Sequence, residues 1–505
     1  MTFTELPWAV QINYPILATL QLLPLLAMAV ALAWNGRRHL LWVGLSAAAL
    51  ELLLALDLYL TYDPGTGAMQ FAERLSLLGP LEYHAAADGI TVLFVLLNAL
   101  LTLMVVIYSE ARRLQPLSLV LAVVFLVEAT LMSLLVSLNL FWFLFMSAAQ
   151  FFPVGYLIWR WASAPEKDLA LTRFLQFMGV GLVLLLAGTL MLGLNHADAT
   201  GRWSFDLFDL AAVEVPAGML SVVFFLLFYG LGLRTPIFPF HGWLPIIAEH
   251  GSIAVAPVFL LGLKTGVYGM LRFVFPLLPE AVLQWHRYIV AFALAGVFYA
   301  AVMALLQVNL RRLLAFAVVS HTSLMVIGLF TLGEYSFAGS IVQSVNFGLA
   351  ITGLVFMIGL IHRRTQSVLL SRLGGLFDLL PLLGITFLVA GLSIIGMPGT
   401  PGFDAVHLVM EDSIRRFGAL VTIAAALGNV IAAGFLLLAF QRAFLSPASP
   451  AEDMPEIERA STLEKLVSAL VILLLLGGGF YLEPWLALVD GPAQRLSLLF
   501  NPGSG

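Results

Sequence analysis

The chain contains no cysteine. Disulfides, thiolate zinc sites, cysteine-ligated iron–sulfur clusters and a cysteine nucleophile are therefore excluded. Charge is also scarce. Asp, Glu, Lys and Arg make up 10% of the 505 residues, against about 25% in soluble domains. With 61% of its residues hydrophobic, the chain reads as a polytopic membrane protein. It lacks a basic tract and its net charge is only −5, so no nucleic-acid partner is expected. No Lys or Arg occurs in the first thirteen residues, and the first apolar stretch is long enough to span a bilayer; no cleavable signal peptide is expected. Lysine is the rarest cation, with three against 21 arginines.

What is present is apolar sequence in runs of about 20 residues, the length that crosses a bilayer. The runs predict about fourteen spans, near 14–34, 41–61, 90–109, 117–138, 140–159, 169–193, 217–240, 252–275, 286–307, 312–332, 337–361, 379–410, 417–440 and 465–488. The polar segments 62–88, 195–216 and 446–463 are too short to build a core of their own, so 1–505 is read as one transmembrane domain. Lys and Arg orient it. Fifteen lie in loops after odd-numbered spans, from Arg37 and Arg38 to Arg459 and Lys465, and seven on the opposite side. The richer side is expected to be cytoplasmic, which puts both termini on the outer face of a bacterial-type inner membrane.

Two spans carry comparable interruptions. LRTPIFPF (233–240) breaks the seventh with Pro236 and Pro239, and GMPGTPGF (396–403) breaks the twelfth with Pro398 and Gly399. Such breaks free backbone groups that only protein or a water path can satisfy. Paired breaks suggest two inverted five-helix repeats, 117–275 and 286–445, flanked by 1–116 and 446–505. Ordinary proline kinks are the simpler alternative.

Lys264 is the only charged residue in SIAVAPVFLLGLKTGVYGML (252–271). A charge at bilayer depth costs roughly 2.5–3.5 kcal/mol on insertion scales, so it marks a functional site unless the side chain snorkels to the headgroups. Glu128, Arg234 and His321 also lie inside spans, and Asp404 and His407 follow the second break. Together they would form a proton path in which Lys264 and His321 exchange protons and Arg234 is a fixed charge. Glu51 and Asp57 in the second span could belong to the same relay, or serve as lipid-interface or helix–helix contacts. His241, Glu249 and His250 suggest a surface loop beside a kinked helix rather than a metal site. The nine histidines are scattered rather than paired as haem ligands, and GVG (179–181) lies within a helix, so no cofactor is expected in this chain.

RTPIFPFHGWLP and LKTGVYGMLRFVFPLLPE, both within 234–280, resemble the signature of the antiporter-like membrane subunits of respiratory complex I, most nearly the subunit M type. The resemblance extends in order through AADGITVLF (86–94), NLFWFLF (139–145), TRFLQFMGVGLVLL (172–185), GRWSF (201–205), NLRRLLAFAVVSHTSLMVIGLF (309–330) and GMPGTPGF (396–403). It implies fourteen helices, inverted repeats, broken helices seven and twelve, and proton movement coupled to electron transfer in other membrane and cytoplasmic subunits. It also implies that Lys264 matches the helix-eight lysine and His321 the helix-ten histidine.

Four positions depart from the family pattern. FMSAAQFFP (145–153) puts Ala148 where the helix-five glutamate belongs, and Arg234 replaces the helix-seven lysine. Phe347 stands where a helix-eleven histidine is frequent, and Val406 near the helix-twelve glutamate. Either Glu128 has become the acid partner of Arg234, with Asp404 or His407 as the exit group, or the chain is a pumping-deficient scaffold or one-way proton path. Paralogues in inorganic carbon uptake, membrane hydrogenases and cation/proton antiporters are the alternative setting, and a stand-alone solute transporter a third.

Overall fold

The computed structural model describes residues 4–34, 36–78, 81–447 and 457–500. Part of the polar segment expected at 446–463, residues 448–456, lies outside them. Among the described residues thirteen helices are long and apolar enough to cross a membrane, and the shorter apolar helix Pro381–Ile394 begins the interrupted twelfth span. The first span is Ile16–Ala33, the second Arg37–Thr61, the third Gly89–Ala111 and the fourth Leu117–Val136. The fifth is Leu140–Arg160, the sixth Lys167–Thr200 and the seventh Ala217–Arg234, which resumes after its break as Trp243–His250. Val255–Leu277, Pro279–Leu305, Leu310–Thr331 and Glu334–Thr365 are the eighth to eleventh. Pro381–Ile394 continues as Pro401–Phe417, followed by Ala419–Phe440 and Thr462–Phe480. The chain is a predominantly α-helical multi-pass membrane protein.

Burial sorts these helices. The apolar middles of the tenth and eleventh spans are wholly buried and that of the eighth nearly so, whereas the second and fourteenth spans are largely exposed. Lys264, His321 and Phe347 therefore sit at the centre of the bundle, where an uncompensated charge is most costly.

The breaks fall where proline and glycine place them. Ile394 ends the first half of the twelfth span, Gly396 and Gly399 adopt positive φ, and Pro401 opens the second half. The freed carbonyl of Ser393 accepts from Asn346 Nδ2 at 3.0 Å, and that of Ile395 from Asn429 Nδ2 at 2.6 Å. Two neighbouring spans thus satisfy backbone groups that lipid cannot.

Three elements differ from the sequence reading. The eighth span is not continuous: helix Val255–Leu261 stops, Lys264 takes a left-handed backbone (φ 45°, ψ 45°), and helix resumes at Thr265. Segment 62–88 is largely a hairpin, Met69–Leu78 against Leu81–Ala87, with Glu5–Pro7 parallel to its first strand. The fourteenth span ends at Phe480, after Gly477–Gly479 has weakened the helix, and Glu483–Leu498 forms a separate helix with Pro484 in its first turn.

The hairpin is fastened by polar groups. His84 places Nδ1 2.5 Å from Asp206 and Nε2 2.9 Å from Glu5, which also pairs with Arg74 at 3.1 Å. Glu73 accepts from the Leu17 and Ala18 amides at 3.0 Å, at the start of the first span. Burial nevertheless pushes its carboxyl up to about 7, the two amides opposing that shift.

Candidate proton path

Lys264 is fully buried at the break, and its Nζ donates to Thr322 Oγ1 at 2.5 Å. The ammonium also lies 4.2 Å from the centre of the Phe347 ring. His321, the neighbour of Thr322, stacks obliquely on the same ring with centroids 6.3 Å apart. Neither of its ring nitrogens has a hydrogen-bond partner. Three spans thus bring together a lysine with no carboxylate partner among the described residues, a buried histidine with both nitrogens unengaged, and an aromatic face that holds a cation without neutralising it. Phe347 fills the position where the resemblance suggested a histidine.

Arg234 ends the helical part of the seventh span. Its guanidinium donates to the Ser147 carbonyl at 3.2 Å and to Gln150 Oε1. Gln150, two residues beyond Ala148, supplies the polar contact expected of an acid, but it is neutral. Arg234, Gln150 and Ser147 line a cavity that also includes Thr265, the residue after Lys264. The arginine environment therefore reaches the break of the eighth span.

Glu128 is not the partner of Arg234. Both of its carboxyl oxygens are buried without a hydrogen bond, and its charged neighbour is Glu51 of the second span. Asp57, by contrast, accepts from Tyr14 Oη at 2.6 Å, a structural contact. Asp404 and His407 lie apart from the Lys264 cluster. Asp404 is half-buried and His407 exposed, and both line an open groove with Glu483 and Asp490 of the terminal helix. Pro236, Pro239, Pro398 and Gly399 lie in the two breaks.

His241 sits among the rings of Phe238, Tyr299 and Phe316, while Glu249 pairs with Arg312 at 2.9 Å. Among the described residues no three or more His, Cys, Asp or Glu converge as a metal site. Sequence reasoning missed Gln150 and Thr322. Gln150 was the only long polar side chain between Leu140 and Tyr156, a usable signal; Thr322 carried none.

The family model for NADH:quinone oxidoreductase/Mrp antiporter transmembrane proteins matches residues 136–432. Subunit M of NADH-quinone oxidoreductase from Escherichia coli (strain K12) is 28% identical over 469 residues, covering 88% of this chain and 89% of the relative. Subunit M of F(420)H(2) dehydrogenase from Methanosarcina mazei is 26% identical over 489 residues, covering 95% and 98%. A chain of respiratory complex I from Thermus thermophilus, solved with bound NADH, superposes with a TM-score of 0.84 at 24% identity, covering 95% of this chain and 99% of that one. That likeness shows the shared fold. With more than half of its length matched by the family model, the chain belongs to the NADH:quinone oxidoreductase/Mrp antiporter transmembrane family.

Proposed function

We propose that this chain is a proton-translocating, antiporter-like subunit of an NADH-quinone oxidoreductase of the complex I type. Electron transfer takes place in partner subunits, and this chain moves protons in response. Family membership supports the reading, as does the likeness to two M subunits along most of their length. The observation that carries it is Lys264, buried at a helix break without a carboxylate and in contact with the His321–Thr322 turn. Lysine can release its proton, and a neutral His321 offers one acceptor nitrogen, neither of its ring nitrogens being engaged in a hydrogen bond. Arg234 is a permanent charge beside this step, and the groove at Asp404 and His407 is the exit.

The positive-side count supports both termini on the outer face of a bacterial-type inner membrane, with cytoplasmic and membrane partner subunits attached. Inverted repeats 117–275 and 286–445 are supported by their breaks and by a shared start to the second helix of each. Asn139 caps the fifth span and Asn309 the tenth, each through its side-chain oxygen.

Arg234 held by neutral Gln150 favours a second reading, a family member coupled to another reaction or a scaffold that no longer pumps. Purification from native membranes, with identification of the co-purifying subunits and a proton-uptake assay on Lys264→Ala, decides between them. NADH- or quinone-reactive partners and lost uptake support the first. A partner set without redox subunits, or unchanged uptake, contradicts it.

A further inference from the structure

We infer that Glu51 and Glu128 form a buried carboxyl pair that binds and exchanges a proton, at a site on the second and fourth spans separate from the Lys264 cluster. This rests on the proton-translocating reading and adds a group to it.

Helix register brings the two acids together. Gly44 of the second span faces Leu121 of the fourth and Val106 of the third, with side-chain carbons 3.0–3.4 Å from where a Cβ would stand. Seven residues on from Gly44 is Glu51, and seven on from Leu121 is Glu128. The second and fourth spans run parallel in an alternating bundle, so two turns, about 10 Å, bring both acids to one depth. The third span runs the other way, and one to two turns back from Val106 lie Thr102 and Asn98. Asn98 Nδ2 reaches the Glu128 backbone carbonyl at 3.5 Å. The two carboxyls are within electrostatic reach of each other, and Thr102 faces Glu128.

Apart from Asn98 Nδ2, the side-chain polar atoms at this point have no hydrogen-bond partner. Glu51 and Glu128 are 1% and 0% exposed, and none of their four carboxyl oxygens has a hydrogen bond. Asn98 Oδ1 and Thr102 Oγ1 are likewise buried and unpartnered. No other ionisable side chain lies in the fourth span, and the first span, packed against it, carries none. Two carboxylates without a cation cannot both stay charged in a low-dielectric interior, so they share a proton. One carboxyl keeps the proton while the other carries the charge, and the two influence each other electrostatically rather than through a direct hydrogen bond in this structure. A second proton entering leaves the pair neutral, and its departure restores one negative charge.

The test uses the assembled complex in native membrane vesicles. NADH-driven proton uptake is followed together with infrared difference spectra of the carboxyl band, which shifts in heavy water. Glu51→Gln, Glu128→Gln and the double variant should each lower uptake about tenfold, without additivity, and each should lose the same band. Glu51→Asp, which retains an acid, should recover most of the rate, and the amount of assembled complex monitors folding. Full uptake with the band intact in the Gln variants overturns the pair. A sodium-dependent rate lost in the same variants assigns the four oxygens to a cation instead and overturns the proton assignment. Lys264→Ala separates the two levels: unchanged uptake there sinks the translocating reading itself, whereas lost uptake beside active Gln variants sinks only the pair.

Discussion

Two buried cations share the eighth span and are treated in opposite ways. Arg272 makes a two-point ion pair with Asp88, at 2.7 and 3.0 Å, and donates further to Thr91 and Tyr268. Asp88 also caps the third span by accepting from the Thr91 amide at 2.9 Å. Lys264, eight residues earlier, has one hydroxyl and one aromatic face. Arg272 is a clamp whose charge is locked by geometry. Lys264 is a cation whose surroundings tolerate its charge without fixing it. The contrast separates a charge that holds the fold from one that is free to move a proton.

The sharpest way to break this comparison is to remove each cation's function in turn. Lys264→Ala should abolish proton uptake while the complex still assembles, measured by dye quenching in vesicles and by recovery of the purified complex. Asp88→Asn should do the reverse. Disrupting a buried ion pair costs about 3–5 kcal/mol, so thermal stability and yield should fall. Uptake per assembled complex should be retained. If Asp88→Asn assembles normally but loses uptake, the clamp has been misassigned.

A smaller effect is expected at the ring that holds Lys264. A cation–π contact is worth roughly 0.5–2 kcal/mol, so Phe347→Leu should slow uptake several-fold without stopping it. An unaltered rate would show that the ring merely fills space.

The smallest effect lies outside the spanning helices, at Glu73. Its carboxyl rises from an ordinary 4.5 to about 7 in the folded hairpin. Between these values the folded state keeps a proton that the unfolded state has lost, so stability falls as pH rises through that window. Hydrogen exchange of the hairpin, corrected for intrinsic rates, should show looser attachment toward pH 7 than toward pH 4.5. Glu73→Gln should flatten that dependence.

Much of this was legible in the sequence because bilayer-length apolar runs and proline–glycine breaks are local signals. The spans, the interruptions at 236–239 and 398–399, and the depth of Lys264 and His321 all follow from them. The break at Lys264 was hidden, since only Gly262 marks it and no proline does. The hairpin was hidden because its pairing depends on contacts with Glu5–Pro7 and Asp206 that are distant in sequence. Arg234 shows the limit most clearly. Ala148 announced a missing acid, and Glu128 was the obvious substitute by composition, yet helix rotation gives the guanidinium Gln150 and turns Glu128 toward Glu51. Which side chains meet is a property of helix packing, which one chain's periodicity does not specify.

The most direct test of the account is Lys264→Arg in the assembled complex. Arginine keeps the positive charge and can donate to Thr322, but it does not release its proton at working pH. If Lys264 moves protons, uptake should be lost although the complex assembles in normal amount. Uptake at the native rate in this variant would contradict the account, because it would show that only the charge at this position matters.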